Sequence, residues 1–279
     1  MAQFDSFLAH EWWIRLGGFA SMFVLMALAE FAEPARALVV RKRQRWFANL
    51  SLLTLNTVVV RLVFPGSAVG IAVLAQHTGS GLLHVVRVPE AVALVVSLLV
   101  LDLGIYLQHI LFHSVPALWR LHSVHHADLD FDVTTGSRFH PLEMLLSMLF
   151  KGAIILALGP PWLAVLIFEM ILNAAAVFNH ANVHLPLKAD RSLRWVIVTP
   201  DMHRIHHSAQ PREHNSNFGF NLPWWDRLFG TYVAEPRPDH AAMTIGLPQL
   251  CSADDCTNFA RLLMLPFNRC RWLTQVAPR

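Results

Sequence analysis

Ten histidines in this sequence fall into four tight sets. His109 and His113 are four residues apart, and His122, His125 and His126 form an H-x-x-H-H pattern. His180 and His184 repeat the four-residue step, and His203, His206 and His207 repeat H-x-x-H-H. On a helix of 3.6 residues per turn, steps of three and four bring side chains to one face, with Cβ atoms about 5–6 Å apart. Neutral imidazole is a ligand for iron, zinc, copper and nickel. One metal takes about four to six ligands, so ten imidazoles suit two metals better than one. His140, in Arg138-x-His140-Pro141-x-Glu143, reads either as a neighbour of the metals or as a turn residue ahead of Pro141. The other histidines (His10, His77, His84, His214 and His240) are isolated and read as hydrogen-bonded interfacial residues.

A site made only of imidazoles leaves the positive charge of its metals uncompensated. Ligating histidines usually donate their second ring N–H to a carboxylate or carbonyl. Asp102, Asp128, Asp130, Glu143 and Asp201 are the nearby anions, and Asp102 and Tyr106 share a helix face with His109 and His113. No Glu-x-x-His occurs among the clusters, which argues against a carboxylate-bridged ferritin-like bundle. Two other classes compete. A metal transporter would place its ligands along a pathway near the bilayer midplane, and a bis-histidine haem protein would need far fewer histidines.

The elements that must position these residues are hydrophobic. The chain is 54% hydrophobic and 15% charged, against roughly 25% charged in a soluble domain. That composition marks an integral membrane protein and offers nothing to a nucleic acid. Residues 16–31 are apolar apart from Glu30, and Arg36, Arg41, Lys42, Arg43 and Arg45 follow within ten residues. By the positive-inside rule this loop is cytoplasmic and the N-terminus external. Residues 46–64 read as a second span of about 28 Å, ended by Pro65-Gly66. Residues 70–75 are apolar but too short to cross, which leaves 65–90 as an external loop. Residues 91–112 return inward and deliver His109 and His113 at their cytoplasmic end.

Residues 144–158 and 162–178 flank Gly159-Pro160-Pro161 and read as a helical hairpin. Lys151 and Glu169 each lie nine residues from Pro160, at the same depth, about 13 Å from the turn, and are expected to pair or face a polar interior. The hairpin returns His180 and His184 to the side that holds His109. All ten histidines then share one face of the membrane, which their spacing alone did not require. Residues 1–45 read as a first span with its basic loop, 46–235 as the catalytic unit, and 236–279 as a tail. Pro236-Arg-Pro238 reads as a linker, and 258–273 as an interfacial stretch interrupted by Pro266. The first twelve residues include Asp5, His10 and Glu11, so no cleaved signal is expected. Three cysteines (Cys251, Cys256 and Cys270), odd in number and without C-x-x-C spacing, suit a reducing compartment.

H-x-x-x-H, H-x-x-H-H and a second H-x-x-H-H, in this order among hydrophobic spans, resemble the fatty acid hydroxylase/sterol desaturase superfamily. Asp102-x-x-x-Tyr106, Leu118-Trp119, Arg138-x-His140-Pro141-x-Glu143, Thr199-Pro200, Asn217-x-Gly219 and Trp225-Asp226-Arg-Leu-Phe229-Gly230-Thr231 carry the likeness further. It covers roughly residues 91–232, while Leu107, Ile110 and Ala127 depart from residues common there. The resemblance implies an all-α protein of about four transmembrane helices, hairpin included, under a cytoplasmic histidine-rich cap. It implies two iron ions, for which zinc could substitute, held by the ten histidines; Asp102, Tyr106, His140, Glu143 and Asp201 are, from their positions in the sequence, the candidates to stand around them. It also implies an O2-dependent reaction on a lipid taken from the bilayer: a fatty acyl chain, sterol or related hydrocarbon. Hydroxylation heads the expectations, with desaturation at the same site as the alternative. Breaking an unactivated C–H bond exceeds what side chains achieve, so a redox metal must carry it. The sequence has no Gly-x-Gly-x-x-Gly, and His140-Pro141 is not followed by Gly-Gly, so a separate donor of ferredoxin, cytochrome or reductase type is expected.

Overall fold

A computed structural model describes residues 2–237, 239–247 and 252–268, with side chains from Trp12 onward. The His10 side chain, Pro238, Cys251 and the stretch 269–273 with Cys270 lie outside what is described, and Cys256 is buried. The helices are α1 (Ala2–Ala32), α2 (Lys42–Val63), α3 (Ser67–Thr78), α4 (Leu82–Val86), α5 (Glu90–Ser114), α6 (Pro116–His126), α7 (Pro141–Leu158) and α8 (Trp162–Asn179). Shorter ones follow: α9 (Leu187–Leu193), α10 (Pro200–His206), α11 (Pro211–His214), α12 (Trp224–Leu228), α13 (Ala253–Thr257) and α14 (Phe259–Met264). Among the described residues the chain has no strands, only an isolated bridge between Ser208 and Ile245. Among the described residues, five helical stretches are long and apolar enough to cross a membrane: Trp12–Ala32, Lys42–Val86, Glu90–Ser114, Pro141–Leu158 and Trp162–Asn179. The chain is an all-helical integral membrane protein.

The α7–α8 hairpin turns where the sequence breaks it. Gly159 caps α7 at φ +66°, a conformation that side chains resist, and Pro161 caps α8. Gly81 packs directly on this turn, and a Cβ on either glycine would strike the backbone of the other segment. Inside the hairpin Glu169 pairs with Lys151, as their matched depth requires, and Arg15 of α1 joins them. Three charged groups in hydrocarbon thus neutralise one another in part.

Residues 65–90 differ from the sequence expectation of an external loop. They form α3 and α4, and Ala68, Val69, Ala72 and Ala75 of α3 are fully buried against α7 and α8. Contacts along α2 and α3 advance steadily along α7. The Asn56 amide donates to the Phe139 carbonyl at 2.8 Å, Ile71 lies against Gly152, and Gly81 meets Gly159. The two helices therefore run in the same direction, bent at Pro65-Gly66. Small residues let α3 approach its neighbours closely, and that packing, not its length, holds it in the bundle.

Beyond the spans, residues 127–140 connect α6 to α7 and are fixed by ionic ties to α2. Arg45 is fully buried; its Nε and Nη2 donate to Asp128 at 2.7 and 2.8 Å, and its Nη1 to Asp132 at 2.6 Å. Asn49 donates to Thr134 Oγ1 at 2.9 Å, and Arg138 donates to the Val124 and Cys256 carbonyls, each at 2.8 Å. Burial alone would raise the Asp128 pKa, but the Arg45 guanidinium outweighs it and holds the carboxyl well below its ordinary range. Asp130 accepts the Val39 and Val40 N–H groups, and Glu30 accepts those of Val133 and Asn182. Asp128 and Asp130 thus anchor the connection rather than touch a histidine. Removing one member of a buried ion network leaves unpaired charge, at about 3–5 kcal/mol. Arg45→Met should therefore lower stability by about that much, read from thermal unfolding in detergent. A loss near zero would show that the connection is held by something else.

Candidate metal centre

Four helices converge to bring nine histidines into two adjacent groups. His109 and His113 of α5, His122 and His126 of α6, and His206 of α10 form the first. His125 of α6, His180 at the end of α8, His203 of α10 and His207 just beyond it form the second. Within each group the potential ligand nitrogens all lie within 4.8 Å of one another. The two H-x-x-H-H motifs interlock. α6 gives its i, i+4 pair to the first group and the residue between to the second; α10 does the reverse. The groups touch, with the His126 and His207 rings stacked at 4.5 Å and the His203 and His206 rings stacked at 5.2 Å.

The nitrogens point as ligands do. His109 and His122 Nε2 are 3.2 Å apart, His125 and His180 Nε2 3.2 Å, and His180 and His203 Nε2 3.1 Å. Neighbouring ligands on a metal with bonds of about 2.0–2.1 Å stand roughly 3 Å apart. Elsewhere on the rings, Nδ1–H donates to backbone: His109 to Phe218 O at 2.9 Å, His180 to Ala176 O at 2.7 Å, and His206 to Ser216 O at 2.8 Å. A carbonyl only accepts, so each Nδ1 carries the proton and each Nε2 presents its lone pair inward. His122 Nδ1 donates to Glu143 Oε1 at 2.6 Å. The Nε2 atoms of His113, His126, His206 and His207 are buried and meet no hydrogen-bond partner. Unmet buried nitrogens are costly, and their number here fits metal ions. Burial, with neighbouring imidazoles adding to it, drives the pKa of His122, His125, His126, His203, His206 and His207 well below 6.5. Burial lowers His180 to about 3. These rings are neutral at physiological pH, as ligation requires.

A sequence profile of the fatty acid hydroxylase family matches residues 94–231, the stretch that holds these histidines. The chain belongs to that family. It is 31% identical over 181 residues to the ornithine lipid hydroxylase OlsE of Rhizobium tropici, covering 65% of this chain and 52% of that one. Over 139 residues it is 30% identical to the alkylglycerol monooxygenase of Xenopus tropicalis, covering 48% and 29%. Over 167 residues it is 27% identical to the cholesterol 25-hydroxylase of Rattus norvegicus, covering 58% and 53%. The chain thus spans about half the length, or less, of these relatives. No solved structure matches it.

In this fatty acid hydroxylase family member the remaining expected residues are placed as follows. His184 lies outside both groups; its side chain is 52% exposed and its Nδ1 is 3.0 Å from Asp201 Oδ2. Asp201 also pairs with Arg204. His140 caps α7, its Nδ1 accepting the Leu142 N–H at 3.2 Å, which selects the turn reading over the metal-neighbour one. Asp102 accepts from Asn221 at 2.7 Å and from the Trp225 indole at 2.8 Å, and Tyr106 reaches Thr231 at 2.9 Å. Both therefore bind the 217–231 segment to α5. Of the five expected supporting residues, Glu143 contacts a ring of the two groups.

The 217–231 segment in turn sets the ligands. Asp226 accepts the Phe218 and Gly219 N–H groups, each at 2.8 Å, which orients the carbonyl that holds His109. A Cβ on Gly219 would lie 2.8 Å from the Leu222 carbonyl, so glycine is required there. Two features escaped the sequence reading. His214, separated from the last motif by Pro211, which starts a new short helix, puts its ring 5.0 Å from His113 and 4.9 Å from His126. Phe139 stacks on His125 at 4.5 Å, and Phe131 lies 5.4 Å from His180. Partners that orient ligands are worth about 10–100-fold in metal affinity. Glu143→Gln should weaken binding on that scale in chelator titrations of the loaded protein, with the helical content unchanged. Wild-type affinity in the variant would remove Glu143 from the site.

Proposed function

We propose that this protein is an O2-dependent lipid hydroxylase whose two irons are held by the clustered histidines. The observation that carries this reading is the pair of touching, buried, all-imidazole groups at the ends of membrane-spanning helices. The named activities of the relatives (hydroxylation of an ornithine lipid and of cholesterol, and monooxygenation of an alkylglycerol) point the same way. The first group would hold one iron and the second the other. His184, on the segment that leads from His180 toward α10, is proposed to join when metal is present. Bound iron supplies the oxidising power that no side chain possesses.

The chain's own contribution is placement and exclusion of water. The proton on His122 Nδ1 is held by Glu143, and those on His109, His180 and His206 by backbone carbonyls, so the ligand faces stay fixed. Phe131, Phe139 and Phe218 wall the groups and keep water from them. α5 and α8 lead from the bilayer to the site, so a hydrocarbon substrate would enter sideways from lipid. Its affinity would come mainly from apolar contact, at roughly 0.8 kcal/mol per buried CH2. The electrons would come from a separate ferredoxin-, cytochrome- or reductase-type donor.

The site is proposed to face the cytoplasm, on the side of the basic residues 36–45. A reporter fused after Asp190 should then be cytoplasmic, and one near Gly79 external. Opposite sidedness for the 36–45 segment and Asp190 would exclude this topology, because both flank the one site.

For the chemistry, purified iron-loaded protein is supplied with 18O2, a reductant and membrane lipids, and products are read by mass spectrometry. Hydroxylation predicts a lipid carrying one 18O. Loss of two hydrogens without label would make the protein a desaturase instead. Unchanged lipids across a broad panel, with iron and electrons demonstrably present, would end the oxygenase reading.

A further inference from the structure

We propose that electrons enter the metal centre through Trp119 and His214. The inference rests on the oxygen-dependent reading above and adds the route. Hydroxylation consumes one O2, two electrons and two protons per C–H bond, and yields one alcohol and one water. The electrons must therefore arrive from outside, singly, from a small one-electron carrier protein. Transfer between fixed groups falls steeply with distance, so the route should lie where the centre comes nearest the surface.

That place is His113. Of the nine clustered histidines it alone is half-buried, the other eight being buried. Its Nε2 is buried inside the first group, whereas its Nδ1 lies 3.4 Å from Asn215, an exposed residue. The second group has no such opening: all four of its rings are buried, with Phe131 and Phe139 against them.

Two half-buried rings outside both groups close over His113. Trp119 is 5.0 Å from His113 and 5.5 Å from His126, centre to centre. His214 is 5.0 Å from His113 and 4.9 Å from His126. Trp119 and His214 meet each other edge-on at 4.6 Å. Each ring is thus in van der Waals reach of two ligand histidines of one metal group. Trp119 also packs on the buried cluster of α2, α6 and the C-terminal helices, which fixes its position. Arg212, exposed on the same short helix as His214, offers positive charge to an acidic carrier.

The test attaches a ruthenium tris-bipyridyl photosensitiser to a cysteine at position 212 (Arg212→Cys) in a chain with Cys251→Ser and Cys270→Ser. A laser flash then injects one electron, and the absorbance of the oxidised iron centre reports its arrival. Trp119→Leu with His214→Leu should slow arrival at least tenfold. Metal content and bulk reduction by dithionite should stay as in the unsubstituted chain. Trp119→Phe, which keeps an aromatic ring, should retain most of the rate. An unchanged rate in the leucine pair overturns the proposal, as does equal slowing with dithionite. Should the leucine pair lose metal, His214→Leu alone, at a half-buried position, is read by the same criteria. If the labelled parent chain holds no reducible metal, it is the oxygenase reading that fails. A reducible parent with an insensitive variant rejects the route alone.

Discussion

Nine imidazoles packed into one buried space impose a constraint that the rest of the molecule serves. Each ring brings two nitrogens, and every buried nitrogen needs a partner. Backbone carbonyls at Phe218, Ala176 and Ser216, and the Glu143 carboxylate, take one nitrogen from each of four rings. The inward nitrogens of several others meet no hydrogen-bond partner. A cluster of this kind is unfavourable as protein alone, because neutral rings crowd without satisfying one another. Metal ions would convert that deficit into bonds, and metal binding and the packing of the histidine helices would then be one process.

The interlocking of the two H-x-x-H-H motifs strengthens that coupling. Because α6 and α10 each feed both groups, neither group assembles from one helix pair while the other waits. α5 contributes only to the first and His180 only to the second, so the two membrane-anchored sides are joined through α6 and α10. The loop Asn217-x-Gly219 and Asp226 then carry the orientation outward. Asn217 sits at φ +50° with its side chain bonded to the Met202 and Val233 carbonyls, and Asp226 holds the Phe218 peptide. Asp102 ties the same segment back to α5. A short run of polar side chains thus connects the ligand carbonyl to a transmembrane helix.

What was legible in the sequence follows from the range of the interactions involved. The hairpin is local: Gly159-Pro160-Pro161 breaks a helix wherever it occurs, and the matched depth of Lys151 and Glu169 follows from counting. The histidine sets are local too, since steps of three and four fix a helix face. Which metal group each ring joins is not local, because it depends on how α6 and α10 cross. His214 was unreadable for the same reason: only the fold brings α11 over α5. Residues 65–90 misled because their apolar core is short. The burial of α3 comes from alanines and from the approach of Gly81 to Gly159, neither of which hydrophobic length records.

The acidic residues near the motifs show where proximity in sequence stops being informative. Asp128, Asp130, Glu143 and Asp201 all lie close to ligand histidines in the chain, and an all-imidazole centre needs compensating charge. Yet Asp128 and Asp130 face away, toward Arg45 and the Val39–Val40 backbone, and Asp201 faces Arg204 and His184. Glu143 alone of these four reaches a ring of the two groups, from the first turn of α7, a helix that supplies no ligand. The geometry explains the division. Asp201 lies on α10, whose inward face is taken by histidines, and Asp128 and Asp130 lie on the connection that α2 and the segment before it hold; α7, which contributes no histidine to the groups, is free to aim Glu143 at a ring. Positive charge brought to the centre by metal would therefore be met by a single carboxylate and by carbonyl dipoles. The burden of keeping the ligands neutral falls on burial.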